Sequence, residues 1–325
     1  MAKKASLLIL IIFLFGSVSI QPALGKDYPT RPIEFLCPYT PCGVTDLTAR
    51  ALGEIASKYL GGTVVVVNKP GAGGSLAAAD VISSPPDGHK IVWLTNIFFA
   101  TTTKTQKIPF DPNDLIPLAS IMQIKLGMMV KSDSPWKTLA DLLDYARKNP
   151  GKLRWAHGGR GLTVHLNALL LFKQAGVETI DIPYKGPGEI LSAVLGGHVD
   201  AMSQQHGSVL DQVKAGNLRY LVSYSDQRFS DTPNVPCTTE LGFTDVGKLP
   251  TIFGVYAHKN TPEKIRETLI NAFKKSYEDP ELRKVIEKFM EEPKFGGPEF
   301  MKESVKKAEE AGVPLIKELG LYVGK

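Results

Sequence analysis

The chain has 325 residues, with 38 Lys and Arg against 33 Asp and Glu, and three cysteines. A formal charge of +5 is too modest for a nucleic-acid footprint, and three cysteines build no disulfide scaffold. Neither Cys-x-x-Cys nor His-x-x-x-His occurs, so a zinc site has no support, while the length accommodates two α/β units with real cores.

Lys3 and Lys4 precede an apolar run, Leu7 to Phe15, and Ala23-Leu24-Gly25 offers small residues for cleavage. This is the pattern of a secretory signal peptide, residues 1–25, and the run is too short to span a bilayer. Loss of Lys3 and Lys4 lowers the charge to +3 and leaves a soluble exported protein from Lys26 onward.

Ile33, Phe35, Leu36 and Cys37 form an apolar run that reads as a strand, and Pro41-Cys42-Gly43 breaks it. Thr45 or Asp46 is a natural N-cap for a helix whose stripe is Leu47, Ala51, Ile55 and Tyr59. A helix start carries unpaired N–H groups and partial positive charge, which suits a carboxylate or phosphate; the alternative is an ordinary βα turn. Cys37 and Cys42 pair only if this loop folds back, and a strand end and a loop tip usually diverge too far for that.

Val64 to Val67 reads as a strand buried on both faces. The glycine-rich run Asn68 to Gly74 follows, then a helix around Ser75 to Ile82. The run lacks the last glycine of a dinucleotide fingerprint, and no Gly-Lys-Ser/Thr follows for a P-loop. Pro85-Pro86-Asp87-Gly88 is a turn, and His89 to Thr95 a third strand. The β-α-β-α-β order implies a parallel sheet with ligands beyond the strands' carboxyl ends. Three loops end there: Pro41 to Thr45, Pro70 to Gly74 and Thr95 to Phe98.

The blocks Tyr28-Pro29-Thr30-Arg31-Pro32-Ile33, Pro38 to Asp46, Asn68 to Gly74 and Pro86-Asp87-Gly88, in this order, resemble the Bug family, the periplasmic receptors of tripartite tricarboxylate transporters. The resemblance continues through Ser134 to Leu142, with a Thr-x-x-Asp helix start, then His157 to Thr163, Ile182-Pro183-Tyr184-Lys185-Gly186 and Gly196 to Met202. It implies an α/β type II periplasmic binding-protein fold: two α/β domains joined by a two-strand hinge. Residues 26–128 and 224–325 would form one domain and 129–223 the other, with crossings near 126–131 and 221–225. Further helices are expected at 208–215, 262 onward, 281–290 and 299–319, the last broken by Pro314, and strands at 218–225 and 253–258.

Implied by the family, a small carboxylate is held by amides of the first two loops. The expected ligand-binding set is Tyr39, Cys42, Gly43, Thr45, Gly71, Gly73, Gly74, Asn96, Phe98, Arg160, Gly161, Thr163, Tyr184, Gln204 and Gln205. Asp46 should cap its helix rather than face an anion. Cys42 stands where the family usually has glycine, Leu162 where Ser or Thr is common, and Gln204 where an acid often suits a ligand amine. The neutral amide points to a di- or aromatic carboxylate without an amino group. Arg160, Gln204 or Gln205 would meet its second polar end, and Tyr39 and Phe98 would flank its middle. An exposed loop role for Arg160 weighs equally.

For His165, a structural hydrogen bond is favoured over ligand contact. A cysteine enzyme pairing Cys42 with His157, His165 or His206 is the disfavoured alternative, because Cys42 and an imidazole from the other domain would have to meet and nothing in the sequence supports this; no Gly-x-Ser-x-Gly offers a serine nucleophile either. A ligand sensor for a membrane signalling protein shares all the pocket chemistry. The expected partners are the carboxylate and the cognate membrane transporter subunits. The expected form is a periplasmic monomer with no metal, nucleotide or redox cofactor and no nucleic acid.

Overall fold

The computed structural model describes residues 28–39, 41–184 and 186–323. The expected signal peptide lies outside the described residues. Alternating strands and helices open the chain: β1 (Ile33–Cys37), α1 (Val44–Leu60), β2 (Val64–Asn68), α2 (Ser75–Ser83), β3 (Lys90–Thr95), α3 (Asn96–Ala100) and β4 (Leu115–Ile124). A second series follows: β5 (Leu126–Lys131), α4 (Leu139–Lys148), β6 (Arg154–His157), α5 (Thr163–Gln174), β7 (Ile180–Pro183), α6 (Pro187–Leu195), β8 (Ala201–Gln205), α7 (Leu210–Lys214) and β9 (Leu218–Ser223). The chain closes with β10 (Thr251–His258), α8 (Glu263–Glu278), α9 (Pro280–Lys288), β11 (Glu292–Gly296) and α10 (Pro298–Glu318).

The strands form two sheets, ordered β11-β4-β10-β3-β1-β2 and β7-β6-β8-β5-β9. We call the body around each sheet a lobe. In the first, β1 runs parallel to β2 and β3, and β10 returns antiparallel between β3 and β4. In the second, β6 is parallel to β7 and β8, while β5 is antiparallel to β8 and β9. This is the α/β two-sheet architecture that the resemblance implies. β5 lies wholly in the second sheet, so the passage between sheets is Lys125, one residue ahead of the expected stretch. The return begins at Tyr224, whose amide bonds Leu126 at 2.8 Å.

Three local expectations are corrected. Helix α1 starts at Val44 with Gly43 as N-cap, so neither Thr45 nor Asp46 caps it. Its inward face is Thr48, Ala49, Leu52, Ile55 and Ala56, and Leu47 and Tyr59 are exposed. β2 is an edge strand: α1 covers Val64 and Val66, closing in at Gly53, while Val65 and Val67 face outward. α10 runs through Pro314 without a break, because that residue is on the solvent side, where water can satisfy the freed carbonyl one turn back. The Thr138–Asp141 capping box at α4 is present with both its hydrogen bonds, as expected.

Candidate functional site

The register of β1 on β2 sets Cys37 opposite Asn68, so the two loops that leave these strands lie side by side. Asp46 ties them together. It is buried, and its carboxylate accepts the Cys42 amide at 2.9 Å, Arg50 Nε at 3.0 Å and Asn68 Nδ2 at 2.7 Å. Arg50 Nη2 also donates to Asn68 Oδ1 at 2.7 Å, and Asn68 Nδ2 to the Tyr39 carbonyl at 3.0 Å. Burial alone would push the Asp46 carboxyl up. The donors from Arg50, Asn68 and Cys42 outweigh it and hold the group below its usual range.

The second loop needs its glycines. Gly71, Gly73 and Gly74 all have positive φ, at 133°, 61° and 104°. A Cβ on Gly73 would also stand 2.8 Å from Thr102 Cγ2. Cys42 has φ of 68°, a left-handed conformation that favours glycine. Cys37, Cys42 and Cys237 are all free, so Cys37 and Cys42 do not pair.

The third loop, after β6, is braced from beneath. His157 Nδ1 accepts the Gly159 amide and His165 Nδ1 the Gly161 amide, each at 3.1 Å. Each neutral ring therefore carries its proton on Nε2, aimed at Asp181 Oδ2, at 3.2 Å from His157 and 3.6 Å from His165. Burial keeps both imidazoles neutral, with His165 pushed down to about 4. The ligand atoms of this trio lie within 4.8 Å of one another, a spacing that would suit a metal ion. The tautomers oppose one: a metal on Nε2 would force each proton onto Nδ1, against an amide N–H. The trio is a brace, and His165 is the structural hydrogen-bonder expected.

Between the lobes lies a cavity of about 440 Å³, within the usual size range of small-molecule sites. The first lobe contributes Tyr39, Thr45, Gly73, Thr95, Thr102, Thr251 and Phe253, and the second Gly161, Leu162, Thr163, Gly186, Gln204 and Gln205. No Asp, Glu, Lys, Arg or His lines it among the described residues. The starts of α1, α5 and α6 meet there beside Gly73 of the second loop, and their N-caps, Gly43, Leu162 and Gly186, make no side-chain cap bond. This leaves the leading amides of α1 and α5 available to an anion, whereas Ser75 of α2 donates to the Ala72 carbonyl, Pro187 gives α6 no first N–H, and α4 has filled its own with Thr138. A larger hollow, about 710 Å³, is lined by first-lobe residues alone, among them Phe99, Phe110, Tyr256 and Met301.

Of the expected residues, Tyr39, Thr45, Gly73, Gly161, Thr163, Gln204 and Gln205 come together at this cavity. Cys42, Gly43, Gly71 and Gly74 shape the two loops behind it. Four expectations are corrected. Asn96 is fully buried and spends its amide on the Pro250 carbonyl and the Ile252 amide. Phe98 packs into the first lobe's core. Arg160 pairs with Asp181 and is exposed, so the loop role holds. Tyr184 faces a separate hollow beside Gly188 and His198. Sequence reasoning missed Phe253, which meets Tyr39 edge-on at 5.8 Å and stacks on Trp93 at 5.2 Å, and so replaces Phe98 as an aromatic wall. It also missed Thr251, whose buried hydroxyl has no protein partner. Cys42 is exposed while His157, His165 and His206 are buried, so no nucleophile–base pair forms.

Residues 48–321 match the Tripartite tricarboxylate transporter family receptor family. The chain is 38% identical over 304 residues to "UPF0065 protein in gbd 5'region" of Cupriavidus necator, covering 92% of this chain and 90% of that one. It resembles the crystal structure of a TctC solute binding protein from Polaromonas, with a TM-score of 0.79, 29% identity, and coverage of 89% and 99%. The structure of R. palustris Rpa4515 with adipate matches at a TM-score of 0.75 and 27% identity, covering 90% and 99%.

Proposed function

The chain belongs to the tripartite tricarboxylate transporter receptor family, whose members are solute-binding receptors and not enzymes, and from that premise we propose that it captures a small carboxylate between its two lobes and delivers it to a tripartite tricarboxylate-type membrane transporter. One observation carries this reading: three helix starts without side-chain caps, α1 from the first lobe and α5 and α6 from the second, converge with the Gly73 loop on one cavity that no charged side chain lines among the described residues. The first-lobe loops at Thr45 and Gly73 take one carboxylate through backbone amides and water, with Thr45, Thr95 and Thr251 adding hydroxyls. The second lobe adds Gly161, Thr163, Gln204 and Gln205, and closure is favoured because only the closed form makes both sets of contacts. We take the two lobes, divided at Lys125 rather than after residue 128 and again at Tyr224, as the moving bodies.

The cavity gives an ammonium group no acidic partner, so the ligand is a di- or aromatic carboxylate without an amino group. Tyr39 and Phe253 flank its middle. The relative bound to adipate fits this class. We take the protein to be exported by its signal peptide and to act in the periplasm as a monomer. The test is calorimetry and thermal shift with dicarboxylates, aromatic acids and amino acids, together with native mass spectrometry of any co-purifying molecule. Strongest stabilisation by amine-bearing ligands, or turnover of the bound molecule, would sink the proposal.

A further inference from the structure

Gln205 lines the cavity, but its side chain is held from behind. Its Nε2 donates to Oε1 of Glu291, which follows α9 and is fully buried. The other Glu291 oxygen accepts the Lys125 amide at 3.0 Å, at the crossing between the sheets. Glu291 itself does not line the cavity. Beside it, Gln204 Oε1 accepts the Gln205 amide at 3.0 Å, which leaves the Gln204 NH2 as its free end.

We infer that Glu291 is a positioning residue for ligand choice: its ionisation decides which end of the Gln205 amide faces the cavity, and so whether the ligand's second end is taken as an anion or as a hydrogen-bond donor. The inference rests on the carboxylate-receptor reading above. An ionised Glu291 has only lone pairs, so it takes the Gln205 NH2 and turns the amide carbonyl toward the ligand. That oxygen repels a carboxylate and accepts from a hydroxyl. A protonated Glu291, with one oxygen occupied by the Lys125 amide, donates from the other to the Gln205 carbonyl. The Gln205 NH2 then joins that of Gln204 in facing the ligand, and two donors suit an anion.

The surroundings put this change within reach of neutral pH. Burial drives the Glu291 carboxyl up to about 8, against the opposing pull of the Lys125 amide, Gln205 and the Lys125 ammonium; Asp231 pushes it further up. The ammonium is itself committed to Asp231 Oδ1 at 2.7 Å and Glu292 Oε2 at 3.2 Å, and stands over Phe229. His206, whose amide bonds the Lys125 carbonyl, is buried and pushed down to about 3, so it stays neutral throughout.

The test is calorimetry of two probes that share one carboxylate and differ at the far end, adipate and 6-hydroxyhexanoate, at pH 6.5 and 9.5. In the native protein the affinity ratio of adipate to 6-hydroxyhexanoate should fall about tenfold between the two. It should stay level in Glu291→Gln and in Gln205→Met, the second variant leaving the buried carboxyl untouched. The Gln205 side-chain amide resonance of ligand-free protein should titrate over the same range, and stand still in Glu291→Gln. A level ratio in native protein while both probes bind, a fall that survives in Glu291→Gln, or a resonance that does not titrate overturns the role of Glu291 and leaves the receptor reading standing. Failure of both probes to bind at either pH removes the aliphatic-carboxylate reading and this inference together.

Discussion

Arg160 and Asp181 meet as a two-pronged pair, Nε to Oδ2 at 2.9 Å and Nη2 to Oδ1 at 3.2 Å, and the pair turns the guanidinium away from the cavity. Arg160→Ala should therefore change carboxylate affinity by less than about threefold, since an exposed pair contributes little. Asp181→Ala should cost more, about tenfold, because it also releases the His157 and His165 rings that fix the third loop. Calorimetry on the two variants separates the roles, and equal losses would contradict this division.

Asp46 does its work without touching ligand. Asp46→Asn removes the charge that Arg50, Asn68 and the Cys42 amide all share. The expected outcome is about 1–3 kcal/mol of lost stability by denaturant titration, with weaker carboxylate binding because the first two loops drift apart.

Two loop substitutions should act in opposite directions. Gly73→Ala places a methyl group near Thr102 at a φ of 61°, so binding and stability both fall. Cys42→Gly relieves a left-handed cysteine outside the cavity lining, and should hold affinity while stability rises by up to about 1 kcal/mol. Chemical denaturation with adipate titration reads both.

Stability should peak near pH 6.5. His206 and His165 are pushed down to about 3 and about 4 from an ordinary 6.5, chiefly by burial. Their contribution is complete above 6.5 and is lost as the pH falls toward those values. Glu291 is pushed up from 4.5 to about 8, so its contribution is complete below 4.5 and is lost as the pH rises through 8. Of these three groups, only Glu291 acts between 6.5 and 8, where stability should decline by up to about 1 kcal/mol per pH unit. Melting curves of Glu291→Gln should show that alkaline limb flattened and the acid limb kept.

The parts readable from sequence were those set by neighbours along the chain. Glycines 71, 73 and 74 announce a loop because glycine adopts such positive-φ angles most readily, and Thr138 with Asp141 announces a helix start. What escaped depends on partners far away. Asn96 has the character of a ligand residue until β10 arrives, some 150 positions later, and takes its amide. Phe253 and Thr251 enter the cavity from that same strand, whose antiparallel return past β3 no local pattern reveals. Arg160 was ambiguous because its partner sits on β7. The expected stripe of α1 is one residue out of phase because the inward face is set largely by small residues, Thr48, Ala49 and Ala56, while the larger Leu47 and Tyr59 are exposed.

Among the described residues no charged side chain lines the cavity, and this bears on how cargo would leave. A solute held by a lysine or arginine stays attracted to it across several ångströms, and dissolved salt tunes that attraction. Peptide dipoles and hydroxyls act only at contact. Affinity should then drift little between dilute buffer and brine, and once the lobes swing apart nothing pulls the cargo back.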